Sequence, residues 1–202
     1  MLDRIVRGRL VGRGPELTEA NAVWQQAQAG IGQVLSISGE PGIGKTRLAR
    51  ELMAQARFSG ATGLLGECYA GGMAPYAPVA QAIQAAFTLT PALSLREKEA
   101  HFPSPGERGG EGEISTGVLA DLITLAPALR EAYPDVPPNP PLVAMAEQQR
   151  LFDSVVTFLA ALTTRAPVLL VIDDAHWADS ATLSVLRHLA RRSKALPVLT
   201  IL

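Results

Sequence analysis

Residues 39–46 read Gly39-Glu40-Pro41-Gly42-Ile43-Gly44-Lys45-Thr46, which completes the pattern G-x-x-x-x-G-K-[ST]. A short apolar and β-branched run, residues 34–38, precedes the pattern, and residues 47–57, rich in Leu, Ala, Glu, Gln and Arg, follow it. This strand, turn and helix setting is the one in which the pattern forms a phosphate-binding loop. The stretch therefore predicts a nucleoside triphosphate site, and the alternative is a glycine-rich turn that merely ends a strand.

The residue types of the pattern match the chemistry of a polyphosphate. Glycines reach unusual φ values, so consecutive backbone N–H groups can point at one anion, and the start of the next helix adds further N–H groups. Lys45 supplies a compact positive charge for the β and γ phosphates, and the Thr46 hydroxyl is a candidate Mg²⁺ ligand. The predicted nucleotide-binding residues of this segment are Gly39, Glu40, Pro41, Gly42, Ile43, Gly44, Lys45, Thr46 and Arg47.

A second motif lies at residues 168–174, where the apolar run Val-Leu-Leu-Val-Ile ends in Asp173-Asp174. This is the form of a Walker B element, and ligands bind at the carboxyl ends of strands in open α/β sheets. Asp173 is the predicted Mg²⁺ partner together with Thr46. Asp174 is the candidate to orient or deprotonate the water that attacks the γ phosphate, and it forms the predicted catalytic set with Lys45.

Two alternatives to this second motif remain open. Two aspartates can simply be polar turn residues at the end of a strand. A transition-metal cluster could also combine the two aspartates with His176 and Asp179. The cluster is disfavoured because no second imidazole or thiolate lies near His176 in the sequence, whereas Mg²⁺ explains the carboxylates.

Composition bounds the class of protein. A chain of 202 residues that is 48% hydrophobic can bury one full core. The net charge is −1, from 18 basic and 19 acidic side chains, so no nucleic-acid-binding surface is expected. The one cysteine, Cys68, forms no internal disulfide, which agrees with a reducing cytosol. We expect Cys68 to be a buried strand residue, the alternative being a nucleophile activated by a nearby cation.

The N-terminal residues lack the apolar segment of a signal peptide, and no apolar run has the roughly 18 residues of a membrane span. The sequence thus predicts a cytoplasmic location and no membrane partner.

Helical and strand patterns alternate along the chain. Predicted helices cover about residues 17–29, 47–57, 78–87, 118–132, 145–164 and 181–192, and predicted strands cover 34–38, 62–68, 168–174 and 196–202. Such alternation favours a parallel sheet with helices on both faces. The predicted fold class is α/β, with the three layers of a P-loop NTPase.

Residues 89–117 interrupt this alternation with charge, Pro and Gly but almost no periodic apolar face. We interpret them as a disordered insertion in a single ATPase domain that covers residues 1–202; a regulatory or partner-binding loop is the alternative. Residues 133–141 contain five prolines, which predict a stiff connector.

The chain resembles the ATPase domain of the STAND class of AAA-like P-loop NTPases, found in bacterial regulators of the MalT and LuxR type and in cyclase-linked sensors. The residues that carry the resemblance are 10–13 with Glu16 and Leu17, 39–46, 75–79, and 149–152 running into 170–180. By position in that family, Val11, Gly12 and Arg13 are expected to lie against the adenine. A solvated charge before a helix is the alternative for Arg13.

The resemblance also implies a sheet order in which the strand at 196–202 lies between the phosphate-loop strand and the Walker B strand. The family continues into a residue that senses the γ phosphate and into a fifth strand, so we interpret the chain as incomplete at its C-terminal end. An exposed sheet edge and self-association, which could depend on the nucleotide, are expected.

The function implied is an Mg²⁺-dependent, ATP-binding switch of a larger signalling or transcriptional regulator, with ATP or ADP and downstream domains as partners. Hydrolysis of ATP by this segment alone is expected to be weak or absent. The first rival is a small-molecule P-loop kinase, and the second is a non-functional fragment of a disrupted regulator gene.

Overall fold

The computed structural model describes residues 12–72, 74–90, 94–96 and 113–202. Within these ranges the helices are α1 (Gly14–Gln28), α2 (Lys45–Phe58), α3 (Ala77–Leu89), α4 (Thr116–Leu125), α5 (Ala144–Thr163) and α6 (Ser180–Arg192). The strands are β1 (Gln33–Leu35), β2 (Thr62–Glu67), β3 (Ser94–Arg96), β4 (Glu113–Ser115), β5 (Val168–Asp173) and β6 (Val198–Ile201). Among the described residues, 3₁₀ helices cover Pro127–Glu131 and Ala175–Trp177.

Four strands form one parallel sheet in the order β1-β6-β5-β2. The predicted α/β fold is confirmed, and β6 lies between the phosphate-loop strand and the Walker B strand, as the resemblance implied. In the register of β2 and β5, Glu67 pairs with Asp173, so both strands end level at the carboxyl edge of the sheet. That edge is where functional side chains are expected to gather.

The central strand β5 is buried on both faces, and its alternating side chains separate two apolar cores. Leu169 and Val171 pack with residues of α1 and α2, whereas Leu170 and Ile172 pack with residues of α3, α4, α5 and α6. Phe158 of α5 is fully buried in the second core. Each such side chain contributes about 1.5–3 kcal/mol relative to an exposed position, so the two cores hold the sheet edge in place.

Close packing of α3 on β2 depends on a residue without a side chain. A Cβ added to Gly66 would lie 2.2 Å from the carbonyl oxygen of Pro78, near the start of α3. The helix therefore rests directly on the strand backbone, next to Glu67 at the end of β2.

A buried polar group anchors the proline-rich connector. The carboxylate of Asp121 is 2% exposed and accepts hydrogen bonds from Asn139 (2.7 Å), Arg150 (3.1 Å) and Ser154 (2.7 Å). Arg150 also donates to the carbonyl oxygen of Pro140 at 2.9 Å. Because the buried Asp121 carboxylate has these partners, it is not left as an unpaired ion. It thereby ties the connector to α4 and α5.

Several boundaries differ from the predicted ones. The helical pattern at 118–132 is divided into α4 and a 3₁₀ turn that begins at Pro127, since proline cannot donate the next helical hydrogen bond. The strand predicted at 34–38 is shorter, because β1 ends at Leu35 where the chain turns toward the glycine loop. One further sheet bond, from Ile37 N–H to the carbonyl oxygen of Leu202, follows it.

Most of the segment 89–117 lies outside the described residues. The parts that are described include β3 and β4, which pair in parallel with each other. The interpretation of this segment as an insertion stays a prediction, as do the domain boundaries.

In the described sheet β1 pairs with β6 alone, and self-association through this edge also remains a prediction. None of the helices described is both long and apolar enough to cross a lipid bilayer.

Candidate functional site

The glycine loop joins β1 to α2 and has the backbone conformation that the sequence predicted. Gly39, Gly42 and Gly44 have φ values of 154°, 78° and 98°, which favour glycine. Gly44 is the N-cap of α2 and offers no side chain to cap its first N–H groups. These groups have no partner inside the helix and carry the positive end of its dipole, so the loop is suited to an anion.

Lys45 lies inside the curve of this loop. Its ammonium group donates hydrogen bonds to the carbonyl oxygens of Gly39 at 3.0 Å and Glu40 at 3.1 Å. The loop thereby holds the positive charge against its own backbone, where a phosphate could exchange for the two carbonyl contacts.

Thr46 connects the two sequence motifs. Its hydroxyl donates to Oδ1 of Asp173 over 2.9 Å, between residues 127 positions apart. The backbone N–H of Asp174 donates to the same oxygen at 3.1 Å. The packing of α2 on β5 thus brings a hydroxyl and a carboxylate together at the carboxyl edge of the sheet; their role as magnesium ligands stays a prediction.

Asp174 adopts a left-handed backbone conformation, with φ 53°, so its side chain departs from the direction of Asp173. The side chain is 52% exposed and lies 3.9 Å from Nδ1 of His176. Trp177 packs its ring at 5.0 Å from that of His176 and is itself half-exposed. The second aspartate therefore faces solvent at the mouth of the site.

An open groove runs along the glycine loop and contains two cavities. A cavity of about 400 Å³ is lined by residues 36–39 and by Asp173 and Ile201 among others. A second one, of about 600 Å³, is lined by Thr46, Arg50 and Trp177 among others. Pro41, Lys45, Asp174 and His176 line both cavities. Each cavity has a volume within the range of 300–1,000 Å³ that is usual for ligand pockets.

Arg13 reaches the glycine loop from the start of α1. Its guanidinium donates to the carbonyl oxygen of Ile43 at 2.8 Å and pairs with Glu16 at 2.8 Å. Gly12, with φ 78°, turns the chain just before it. Because Arg13 contacts the loop, it is not merely a solvated charge before a helix. Val11 lies outside the described residues. A role of the three residues at the adenine stays a prediction.

Sequence reasoning missed Arg50, Glu67 and Tyr69. Arg50 of α2 pairs with Oε1 of Glu67 at 2.8 Å, and its guanidinium lies 3.9 Å from Oδ2 of Asp173. The Tyr69 hydroxyl donates to the other oxygen of Glu67 at 2.6 Å, which raises the pKa of the phenol. No local pattern in the sequence indicated these residues, because their contacts depend on how β2 and α2 pack beside β5.

Asp179 is the N-cap of α6. It accepts hydrogen bonds from the N–H groups of Ala181 and Thr182 and from the Thr182 hydroxyl. Partial burial acts to raise the pKa of this carboxyl, but these hydrogen bonds outweigh it and lower the pKa. Asp179 therefore has a structural role, as the N-cap of α6.

Cys68 follows β2 and is buried. Burial, and next the carboxylates of Asp179, Asp174 and Asp173, raise the pKa of its thiol from 9.0 to about 11. A thiol with a raised pKa is a poor nucleophile at neutral pH. The predicted burial of Cys68 is confirmed, but its predicted place in a strand is wrong, because β2 ends at Glu67.

The donor set fits magnesium better than a transition metal. No three His, Cys, Asp or Glu side chains among the described residues are arranged to hold a metal ion together. Thr46 and Asp173 do offer two oxygens side by side. Mg²⁺ characteristically takes one or two protein oxygens and completes its shell with water and phosphate, so this pair suits Mg²⁺ delivered with a nucleotide.

Comparison with known proteins decides the family. The family model described as an AAA ATPase domain matches residues 9–201. The chain belongs to the AAA ATPase domain family. Membership implies nucleotide binding and hydrolysis, and this family typically binds ATP with Mg²⁺. The match includes the glycine loop and Asp173.

The ATPase domain is also similar to an uncharacterized protein of Rhizobium meliloti (strain 1021), with 26% identity over 202 residues. The alignment covers 96% of this chain and 18% of the relative. The chain thus spans less than a fifth of the length of that relative. No solved structure matches the ATPase domain significantly.

Proposed function

We propose that this AAA ATPase domain is an Mg-ATP-binding switch of a larger regulator of the STAND class, rather than an enzyme that turns over a metabolite. The hydrogen bond between Thr46 and Asp173 carries the proposal, since it joins the phosphate loop to the Walker B strand at 2.9 Å. The four sequence blocks that resemble the STAND class support the finer assignment.

Each residue of the edge has a distinct role in this proposal. Lys45 exchanges its bonds to the loop carbonyls for the β and γ phosphate oxygens, and the free N–H groups of the loop hold the β phosphate. Thr46 and Asp173 hold Mg²⁺, which neutralises charge on the phosphates. Asp174, exposed at the mouth of the groove, orients the attacking water or accepts its proton.

A switch also needs a part that responds. The chain spans 18% of its relative from Rhizobium meliloti, so a domain of this kind can be embedded among many other residues. In the proposal, the presence of Mg-ATP or Mg-ADP changes how the groove packs against such downstream domains, with hydrolysis as the slow reset.

The proposal is tested in a calorimeter by titrating Mg-ATP into the wild type and into the variants Lys45→Ala, Lys194→Ala and Asp174→Asn. Lys45→Ala should lower the affinity by more than about tenfold, because a charge-assisted contact to phosphate contributes about 1.5–3 kcal/mol. Lys194→Ala is the matched control, since Lys194 is an exposed lysine away from the groove, and it should bind like the wild type. Equal affinities of wild type and Lys45→Ala would refute the site.

Asp174→Asn separates binding from chemistry. The substitution removes the charge but keeps the shape, so Mg-ATP affinity should stay within about threefold, while the slow release of phosphate by the wild type should fall to the uncatalysed background. Loss of binding without a change in the rate per bound ATP would contradict the role proposed for Asp174.

A further inference from the structure

Arg50 occupies a position that neither motif explains. It lies one helical turn after Thr46 in α2, so the two side chains share one face of the helix. From there its guanidinium lies 2.8 Å from Glu67 and 3.9 Å from Oδ2 of Asp173. A fixed positive charge thus lies beside the carboxylate that is the proposed magnesium partner.

The Arg50 guanidinium is held in place by a chain of contacts. Glu67 uses Oε1 for Arg50 and accepts a hydrogen bond from Tyr69 at Oε2. The N–H of Glu67 in turn donates to Oε1 of Gln81 on α3 at 2.8 Å. Both carboxylate oxygens of Glu67 are therefore engaged within the protein, and the residue acts as the anchor of Arg50 rather than as a free metal ligand.

The carboxylate of Asp173 is engaged at both oxygens as well. Oδ1 accepts from Thr46 and from the N–H of Asp174, and Oδ2 faces Arg50. The Asp173 side chain is 14% exposed, so its charge is less screened than a surface carboxylate and interacts strongly with a nearby cation. A bare divalent ion approaching Asp173 must compete with Arg50.

We propose that Arg50 is a resident countercation of Asp173 that makes loading of the divalent metal depend on the nucleotide. The inference rests on the proposed function and deepens it. Without nucleotide, the Arg50 charge repels a second cation from the carboxylate. A polyphosphate brings several negative charges and its own oxygen ligands, which outweigh one guanidinium that is 43% exposed. The metal then enters with ATP instead of before it.

The test uses Mn²⁺ as the probe, with the free ion counted by its paramagnetic resonance signal. It is titrated into the intact chain with and without ATP. Without nucleotide, Arg50→Gln should bind Mn²⁺ at least about fivefold more tightly than the wild type, because one like charge is removed next to a partly buried site. With ATP present, the two proteins should differ by less than about twofold.

Two controls separate charge from structure. Arg50→Lys retains the positive charge and should keep the weak Mn²⁺ binding of the wild type. Arg187→Gln removes a cation exposed on α6 and should leave Mn²⁺ binding unchanged. A merely structural role of Arg50 would lower metal binding in Arg50→Gln, or leave it unchanged.

The outcomes are distinguishable. A wild type that binds Mn-ATP, together with an Arg50→Gln variant whose metal affinity without nucleotide matches the wild type, overturns the countercation and leaves the proposed function intact. A wild type that fails to bind Mn-ATP under any condition refutes the proposed function, and the inference fails with it.

Discussion

At the scale of single residues, the Thr46 hydroxyl is the contact on which the arrangement of the groove depends. It donates to Asp173 across 127 positions of sequence, and a hydroxyl can at the same time offer a lone pair to a cation. A methyl group of equal size can do neither. Thr46 thus distinguishes a nucleotide site that uses a metal from one that uses the loop alone.

Thr46→Val should therefore abolish the dependence of ATP binding on Mg²⁺. We expect its ATP affinity in Mg²⁺ to fall to about the value in a metal chelator, whereas Thr46→Ser should retain the wild-type difference. Thr88→Val is the matched control, because Thr88 donates its hydroxyl to Gln84 on the exposed side of α3. A Thr46→Val variant that still binds Mg-ATP more tightly than metal-free ATP would contradict the assignment.

Cys68 gives a second prediction at this scale. With the pKa of the thiol raised to about 11, the native protein holds far less thiolate at pH 9 than the unfolded chain, in which about half is ionised. Alkylation by iodoacetamide at pH 9 should be at least about 50-fold slower in the native state than in urea. The measurement is the rate of mass increase, and equal rates would disprove the burial of an inactive thiol.

The sign of the linked pH effect follows from the same shift. The pKa of the Cys68 thiol is higher in the folded than in the unfolded state. Its contribution to stability is therefore fully present below pH 9.0 and is lost as the pH rises through about 11. Stability should accordingly decline in that alkaline range, less so in Cys68→Ser.

At the scale of elements, the sequence patterns predicted the helices and strands in which apolar residues recur at a clear helical or strand spacing. The apolar run of β5 and the glycine loop before α2 determined the sheet edge in advance. Pro127 also carried a visible signal for the break after α4, but the apolar residues on both sides masked it. The end of β1 was harder to predict. The sheet contacts that follow this strand are isolated hydrogen bonds near Ile37 and do not form a continuous strand.

The close approach of α3 to β2 could not be predicted from sequence, because a glycine in a strand does not say which backbone approaches it. Gly66→Ala should lower the free energy of unfolding by about 1–3 kcal/mol, since the added Cβ would overlap the carbonyl oxygen of Pro78. Urea unfolding measures this difference.

Gly14→Ala is the control for that substitution. Gly14 begins α1 and has open space where a Cβ would lie, so its free energy of unfolding should change by less than about 0.5 kcal/mol. Equal effects of the two substitutions would contradict the packing of α3 on the strand backbone.

At the scale of the whole molecule, two cores enclose the four-stranded sheet, and the residues of the groove come from its carboxyl edge. Lys45, Thr46, Asp173 and Asp174 were predicted from two motifs, since each motif identifies its residues by spacing. Arg50 and Glu67 were missed because their contact depends on the register of β2 with β5 and on how α2 packs. The local spacing of residues in the sequence determines neither of these.

The family match also belongs to this scale. The AAA ATPase domain model covers residues 9–201, so the match spans both the sheet and the residues of the groove. The regulatory role proposed above would depend instead on partners of this domain, and no local pattern in the domain identifies them.

The most direct test of the account is a calorimetric titration of the folded wild-type chain with Mg-ATP. We predict saturable binding at about one site per chain. A folded, soluble chain that shows no saturable binding of Mg-ATP or Mg-ADP, at two temperatures to exclude a vanishing heat, would contradict the nucleotide site.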